Sequence, residues 1–430
     1  MEWREKYNQS TFVIYLGSTP VLIVNDRNDI EYLWSHHSTA LNSRPTSHTF
    51  HNVISATQGP TIGTTPAGSS FRKKRKVLSM HLSVKSLTTQ INVEALDQCS
   101  QYIIRNILIE TTKLNPMRYP FSDISLLRHF QCYVLSCAIK LTYGISLDTH
   151  VKDRQLANKI IETENHIINF RSFISNYQDY LPIFRIFPFN MVVNNDANFW
   201  KTERDKYIDQ LQAEFENQLH GNIYPSCKSI LAQITSERAG ARTLNQQETR
   251  SLCLTMISAG LDNLGFTMNY IVGQLAGSEN GYKMQERLFW ELMSASDDDI
   301  VQAWKNSACH MNCDYALAII QEALRKFSVL PLGLPRLTTK SVQFGDIAIP
   351  KDTVLFMNVF AANHDPSMCQ MPDAFQPQRW LDSNGKLIKS SEMIQFTFGL
   401  GSRKCAGDRL SIKEIPSNVV SGLEPVRVKA

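Results

Sequence analysis

The stretch FTFGLGSRKCAG, residues 396–407, puts a cysteine inside a glycine-rich, basic loop ahead of a helix-like continuation, DRLSIKE. A surface turn that happens to carry a thiol is the simplest explanation, but the spacing supports another. Phe398, Gly401, Cys405 and Gly407 fit the pattern F-x-x-G-x-x-x-C-x-G, with Arg403 two residues before the thiol. Gly401 permits a tight turn, and Gly407 a close backbone approach to something flat and bulky. At a helix start the dipole and free N–H groups favour Cys405 as thiolate. A thiolate under backbone N–H donors is what an axial haem ligand needs, because those hydrogen bonds tune the iron.

Other residues carry possible chemistry. Glu322 and Arg325, in Glu322-Ala323-Leu324-Arg325, share one face of a helical pattern from Tyr315 to Phe327. Taken alone, that is a common surface pair. Asp262 is the only charged side chain between Ser251 and Gly277. A carboxylate is costly to bury unless paired, so Asp262 is a functional candidate beside the alternative of a structural, backbone-bonded Asp. Cys309-His310-Met311-Asn312-Cys313 has metal-ligand residue types, but no second pair accompanies it, and it is not read as a zinc site. The dense cluster Arg72-Lys73-Lys74-Arg75-Lys76 reads first as a solvated helix face.

The elements that must position these residues are mostly helices. From about residue 85 to 275, segments such as LLRHFQCYVLSCAIKLTYG carry apolar residues three and four apart. Asn245-Gln246-Gln247-Glu248 resembles a capping box, and the pattern then runs without proline to about Gly277. At 1.5 Å per residue that is on the order of 45 Å, long enough to cross a domain. Asn263, Asn269, Gln274 and the glycines favour a buried central helix over a membrane span. Phe12 to Leu16 and Val21 to Val24 flank Gly-Ser-Thr-Pro and predict a hairpin, and VQFGDIAIPKDTVLFMNVF returns to strand character. The chain is therefore expected to be mainly α with a small β-sheet built from both ends.

Composition sets the outer bounds. With 430 residues, 43% hydrophobic and 20% charged, the chain can bury a large core. No linker, repeat or low-complexity tract divides it, which predicts one domain over residues 1–430. A net charge of +4 is too mild and dispersed to argue for nucleic acid. Nine scattered cysteines form no disulfide framework, so the thiols read as reduced and intracellular.

Taken in order, the motifs resemble the cytochrome P-450 family of haem-thiolate monooxygenases. Glu322 to Arg325 is similar to its E-x-x-R, and Phe375-Gln376-Pro377-Gln378-Arg379-Trp380 to its aromatic-Pro-Arg segment. The resemblance implies that Arg379 completes a buried ion network with Glu322 and Arg325. It implies haem b with Cys405 as axial ligand. Arg75 after Phe71 (where the family usually has Trp), Arg336 and Arg403 are the implied propionate partners, for which a planar guanidinium fork is suited. The resemblance covers about Thr11 to Glu414. Within the family, SAGLDNLGFTMNYIVGQLAG and the cysteine loop are most similar to fungal phenylacetate-hydroxylase-type members.

Three departures stand out. Ala259-Gly260-Leu261-Asp262-Asn263 has asparagine where most members have a proton-relaying threonine, and an amide does not pass a proton readily. Only 25 residues follow Cys405, and Pro416 is expected to end the helix there after little more than two turns. The N-terminal membrane anchor expected of eukaryotic members is not seen, so the chain reads as lacking that anchor and part of the region after the cysteine loop.

The expected function is insertion of one oxygen atom from O2 into a small organic substrate, aromatic or of secondary metabolism. Electrons would come from NADPH through NADPH-cytochrome P-450 reductase. Asp262 and Asn263 would be the catalytic pair, with His48–Thr65 and Ala259 to Asn263 lining the substrate. Alternatives are a haem-thiolate enzyme that rearranges or dehydrates its substrate without activating O2, or a truncated inactive haem protein. The family implies the cytoplasmic face of the endoplasmic reticulum membrane, whereas the chain as given reads as soluble and intracellular.

Overall fold

The sheet forms where β-branched and aromatic residues cluster. Strands β1 (Thr11–Leu16) and β2 (Thr19–Val24) pair antiparallel across Gly17, whose φ of 58° makes the turn. Strand β3 is Arg336–Leu337, β4 Val342–Phe344, β5 Ile347–Ile349 and β6 Val354–Met357. β2 runs parallel to β6 with Val21 opposite Val354, giving a four-stranded sheet in the order β1-β2-β6-β3; β4 and β5 form a separate hairpin. The expected sheet from both ends of the chain is what is found. The computed structural model describes Lys6 and residues 9–423, apart from 115–123, 148–150, 173–175, 189, 222–227, 237–243, 300–302, 304–312 and 389–394.

The longer helices are α1 (Ser69–His81), α2 (Gln90–Leu114), α3 (Leu126–Tyr143), α4 (Val151–Arg171), α5 (Met191–His220), α6 (Gln246–Ala276), α7 (Glu279–Ser294), α8 (Asp314–Lys326) and α9 (Asp408–Leu423). Helix α6 begins in a true capping box: the Asn245 side chain accepts from Glu248 N at 2.8 Å, and Glu248 accepts from Asn245 N at 3.0 Å. It crosses α3 closely enough that a Cβ at Gly265 would lie 3.2 Å from Gln131 Cγ. Leu252, Met268, Ile271 and Leu275 of α6 are fully buried in the main core with residues of α2, α3, α8 and α9. Among the described residues no helix is long and apolar enough to cross a membrane.

Two expectations change. Helix α9 does not end at Pro416 but continues to Leu423. Proline there removes one N–H from the ladder, while buried Leu410, Glu414 and Ile415 already fix the preceding turns, so the helix carries on. The aperiodic loop expected over His48–Thr65 contains a wide helical turn at His48–Ile54, stabilised by burial of Phe50 and Ile54. Cys309 and His310 lie outside the described residues; Cys313 caps α8, its sulfur accepting from Ala316 N at 3.4 Å.

Candidate functional site

The cysteine loop is closed by its own backbone. Cys405 N donates to Phe398 O at 2.8 Å and Lys404 N to Gly401 O at 3.0 Å. Gly401 has φ 63°, and a Cβ there would collide with the Trp34 carbonyl, so the loop packs on the segment after β2 only with glycine. Gly407 N donates to Cys405 Sγ at 3.3 Å. Cys405 is solvent-accessible, yet burial raises its thiol pKa, with the Gly407 N–H and Arg75 pulling the other way. Helix α9 starts at Asp408, three residues after Cys405, and the Gly407 N–H is the donor that the sulfur accepts from.

Behind this loop stands a closed ion network. Glu322, fully buried, accepts from Arg325 Nε and Nη2 at 2.8 Å each, Arg379 Nε at 3.2 Å, Gln376 N at 2.9 Å and Trp380 Nε1 at 3.0 Å. Arg325 uses its remaining donors on the carbonyls of Asn363, Pro372 and Ala374. One carboxylate thus pins α8 to the segment 372–380. The family resemblance implied that Arg379 joins Glu322 and Arg325, and the structure brings the three together; Trp380 as a fourth partner was not anticipated.

A second group of cations has a different character. Arg336 donates to Leu41 O at 2.9 Å and Leu400 O at 2.8 Å. Arg403 donates to Asn42 O at 2.6 Å, and its guanidinium stacks on Phe71 at 3.4 Å from the ring centroid. Arg44, missed by the sequence reading, donates to Gly63 O, Leu334 O and Pro335 O at 2.7–2.8 Å. Burial pushes the Arg336 guanidinium down, and Arg44, Arg403 and Arg75 push it further. Arg403 Nη2 is a buried donor without a partner, and Arg75 makes no hydrogen bond among the described residues. Phe71, Arg75, Arg336 and Arg403 are thus brought together, and among the described residues Asp408, near Arg75, is the one carboxylate that acts on the group. Clustered guanidiniums with spare donors fit a ligand bearing carboxylates, as haem does.

Lys74, another residue the sequence did not single out, is buried in the basic cluster. Its ammonium donates to Thr65 Oγ1 at 2.8 Å, Ser251 Oγ at 2.9 Å and Pro60 O at 3.1 Å, tying α1 to the 60–65 loop and α6. Arg72, Lys73 and Lys76 are exposed, so the cluster is only partly a solvated face.

Helix α6 separates Asp262 from Asn263. Asp262 is buried towards α3, where Gln131 Nε2 donates to it at 3.0 Å, and burial raises its carboxyl. Asn263 is half-buried and donates back to Ala259 O at 2.8 Å. Ala259, Asn263 and Phe266, at helical spacing, form an accessible strip on an otherwise buried stretch. The two polar residues are adjacent in sequence but do not share a face. The Gln131 partner, 131 residues away, left no signal in the sequence.

Comparison with known proteins agrees with this arrangement. Residues 1–424 match the cytochrome P-450 family. Phenylacetate 2-hydroxylase of Emericella nidulans is 33% identical over 418 residues, covering 96% of this chain and 76% of that protein. The 3-hydroxyphenylacetate 6-hydroxylase of the same organism is 30% identical over 431 residues, covering 99% and 77%. A solved zebrafish cytochrome P-450 structure with abiraterone shares the fold, with TM-score 0.69 and 17% identity over 96% of this chain and 87% of that one.

Proposed function

The chain belongs to the cytochrome P-450 family, and from that membership we propose that it hydroxylates a small aromatic acid of the arylacetate type. It is a haem-thiolate monooxygenase. The observation that best supports the site assignment is the cluster of Arg44, Arg75, Arg336 and Arg403, in which Arg75 and Arg403 keep donors that suit the propionates of haem b. Cys405 would be the axial ligand, with Phe71 and Phe398 beside the ring and Gly401 and Gly407 letting the loop approach it.

When bound, haem supplies dioxygen activation and the oxidising power. The chain's own residues do the rest. The Gly407 N–H steadies the Cys405 sulfur. Asp262, its carboxyl pushed up by burial on the α3 side of the helix, is the acid next to Asn263, whose amide positions rather than relays. Ala259 and Phe266 shape an apolar wall that limits water.

Electrons are proposed to come from NADPH through its reductase, and family membership supports a place at the endoplasmic reticulum membrane. Asn263, in place of a relaying hydroxyl, favours a second reading in which substrate is rearranged or dehydrated without O2 activation. Product formed per NADPH consumed, with and without reductase, separates the two. The first reading predicts no product without reductase; an undiminished rate without it would establish the second.

A further inference from the structure

Between α4 and α5 lies a buried ionic group that the reading above does not use. Glu164 accepts from Arg204 Nε and Nη2 and from Tyr207 Oη, each at 2.8 Å, and from Arg171 Nη2 at 3.1 Å. Arg204 is fully enclosed and engages both carboxylate oxygens, so Arg171 is a second cation for a carboxylate already matched. Asp262 lies within electrostatic reach of Arg171, but its hydrogen bond comes from Gln131 and burial pushes it towards its neutral form. Two guanidiniums facing one dedicated carboxylate leave positive charge in surplus. Among the described residues Arg171 Nε and Arg204 Nη1 are both buried donors without a partner. Of the two residues only Arg171 is reachable, with 19% of its side chain accessible against none for Arg204. The Arg171 guanidinium also lies 5.5 Å from the centroid of the Phe50 ring, in the His48–Ile54 turn.

We propose that Arg171 is the substrate-carboxylate anchor, pairing with the acid group of a small aromatic acid. The inference rests on the hydroxylase reading and adds the residue that selects acids over neutral aromatics. A surplus buried cation is costly until an anion meets it, and the planar fork of arginine takes a carboxylate at two points. A neutral analogue of the same shape leaves that charge unmatched and is rejected for it.

The test titrates the haem-loaded full chain with phenylacetate and with phenylacetamide, reading the haem spectral shift and, independently, calorimetric heat. Wild type is expected to bind the acid roughly 10–100-fold more tightly, the worth of a charged hydrogen-bonded pair. Arg171→Gln should lose that preference while binding the amide as before, and should fold, because Glu164 keeps Arg204 and Tyr207. Arg171→Lys, which keeps charge but not the fork, should retain part of the preference and serves if the glutamine variant is unstable. An Arg171→Gln protein that still prefers the acid overturns the anchor and leaves the hydroxylase reading standing. A wild type with no acid preference overturns the anchor as well. A wild type that binds and hydroxylates no small aromatic at all refutes the underlying reading instead.

Discussion

Glu322 and Arg336 are both deep inside the molecule, yet the chain treats their charges in opposite ways. Around Glu322 every strong donor and acceptor belongs to the chain: two arginines, an indole N–H and a backbone amide converge on one carboxylate. Around Arg336 the neighbours are other arginines, held by carbonyl dipoles, with Arg403 Nη2 left unpartnered. A closed network specifies the fold, because removing one member strands the rest. An open cluster of like charges specifies a ligand, because an anion from outside lowers its energy. Inside one protein, then, charge balance separates a residue that builds the fold from one proposed to bind.

The largest effect should come from breaking the closed side. Glu322→Ala leaves Arg325 and Arg379 uncompensated and is expected to cost roughly 3–5 kcal/mol. Little folded protein should be recovered, and added haem should not restore it; near-normal yield and melting would show the network to be dispensable.

On the open side the expectation reverses. Arg336→Met relieves repulsion with Arg44, Arg75 and Arg403, so the haem-free chain should melt no lower than wild type. Haem retention should fall by roughly 10–100-fold, the worth of charged hydrogen bonds to a propionate. Haem transfer to apomyoglobin measures this. A variant that unfolds but keeps haem would erase the distinction between the two regions.

A smaller, pH-dependent effect comes from Glu414 on α9, whose carboxyl burial pushes up to about 8 from its ordinary 4.5. The folded chain holds this proton more tightly than the unfolded one. Its contribution is therefore fully present below pH 4.5 and is lost as pH rises towards 8, by an amount on the order of a few kcal/mol. Glu414→Gln should flatten that decline in denaturant titrations between pH 5 and 8; an unchanged slope would mean that another group is responsible.

Much of this was legible in the sequence where chemistry is local. The cysteine loop announces itself by glycine spacing, and the α6 start by Asn245 and Glu248 three residues on, because turns and caps are made by neighbours. Arg44, Lys74, Trp380 and Gln131 were not legible, since each acquires meaning only from partners that the fold brings from far along the chain. Pro416 misled for a related reason: a propensity rule sees the missing N–H but not the burial of Leu410 and Ile415 that holds the helix.

The carbon-monoxide difference spectrum of the reduced protein tests the central assignment most directly. Wild type should give the thiolate-type Soret band, Cys405→Ser should lose it, and serine at Cys99, Cys137, Cys253 or Cys369 should leave it in place. A Cys405→Ser protein that keeps the thiolate band would contradict the assignment of the site.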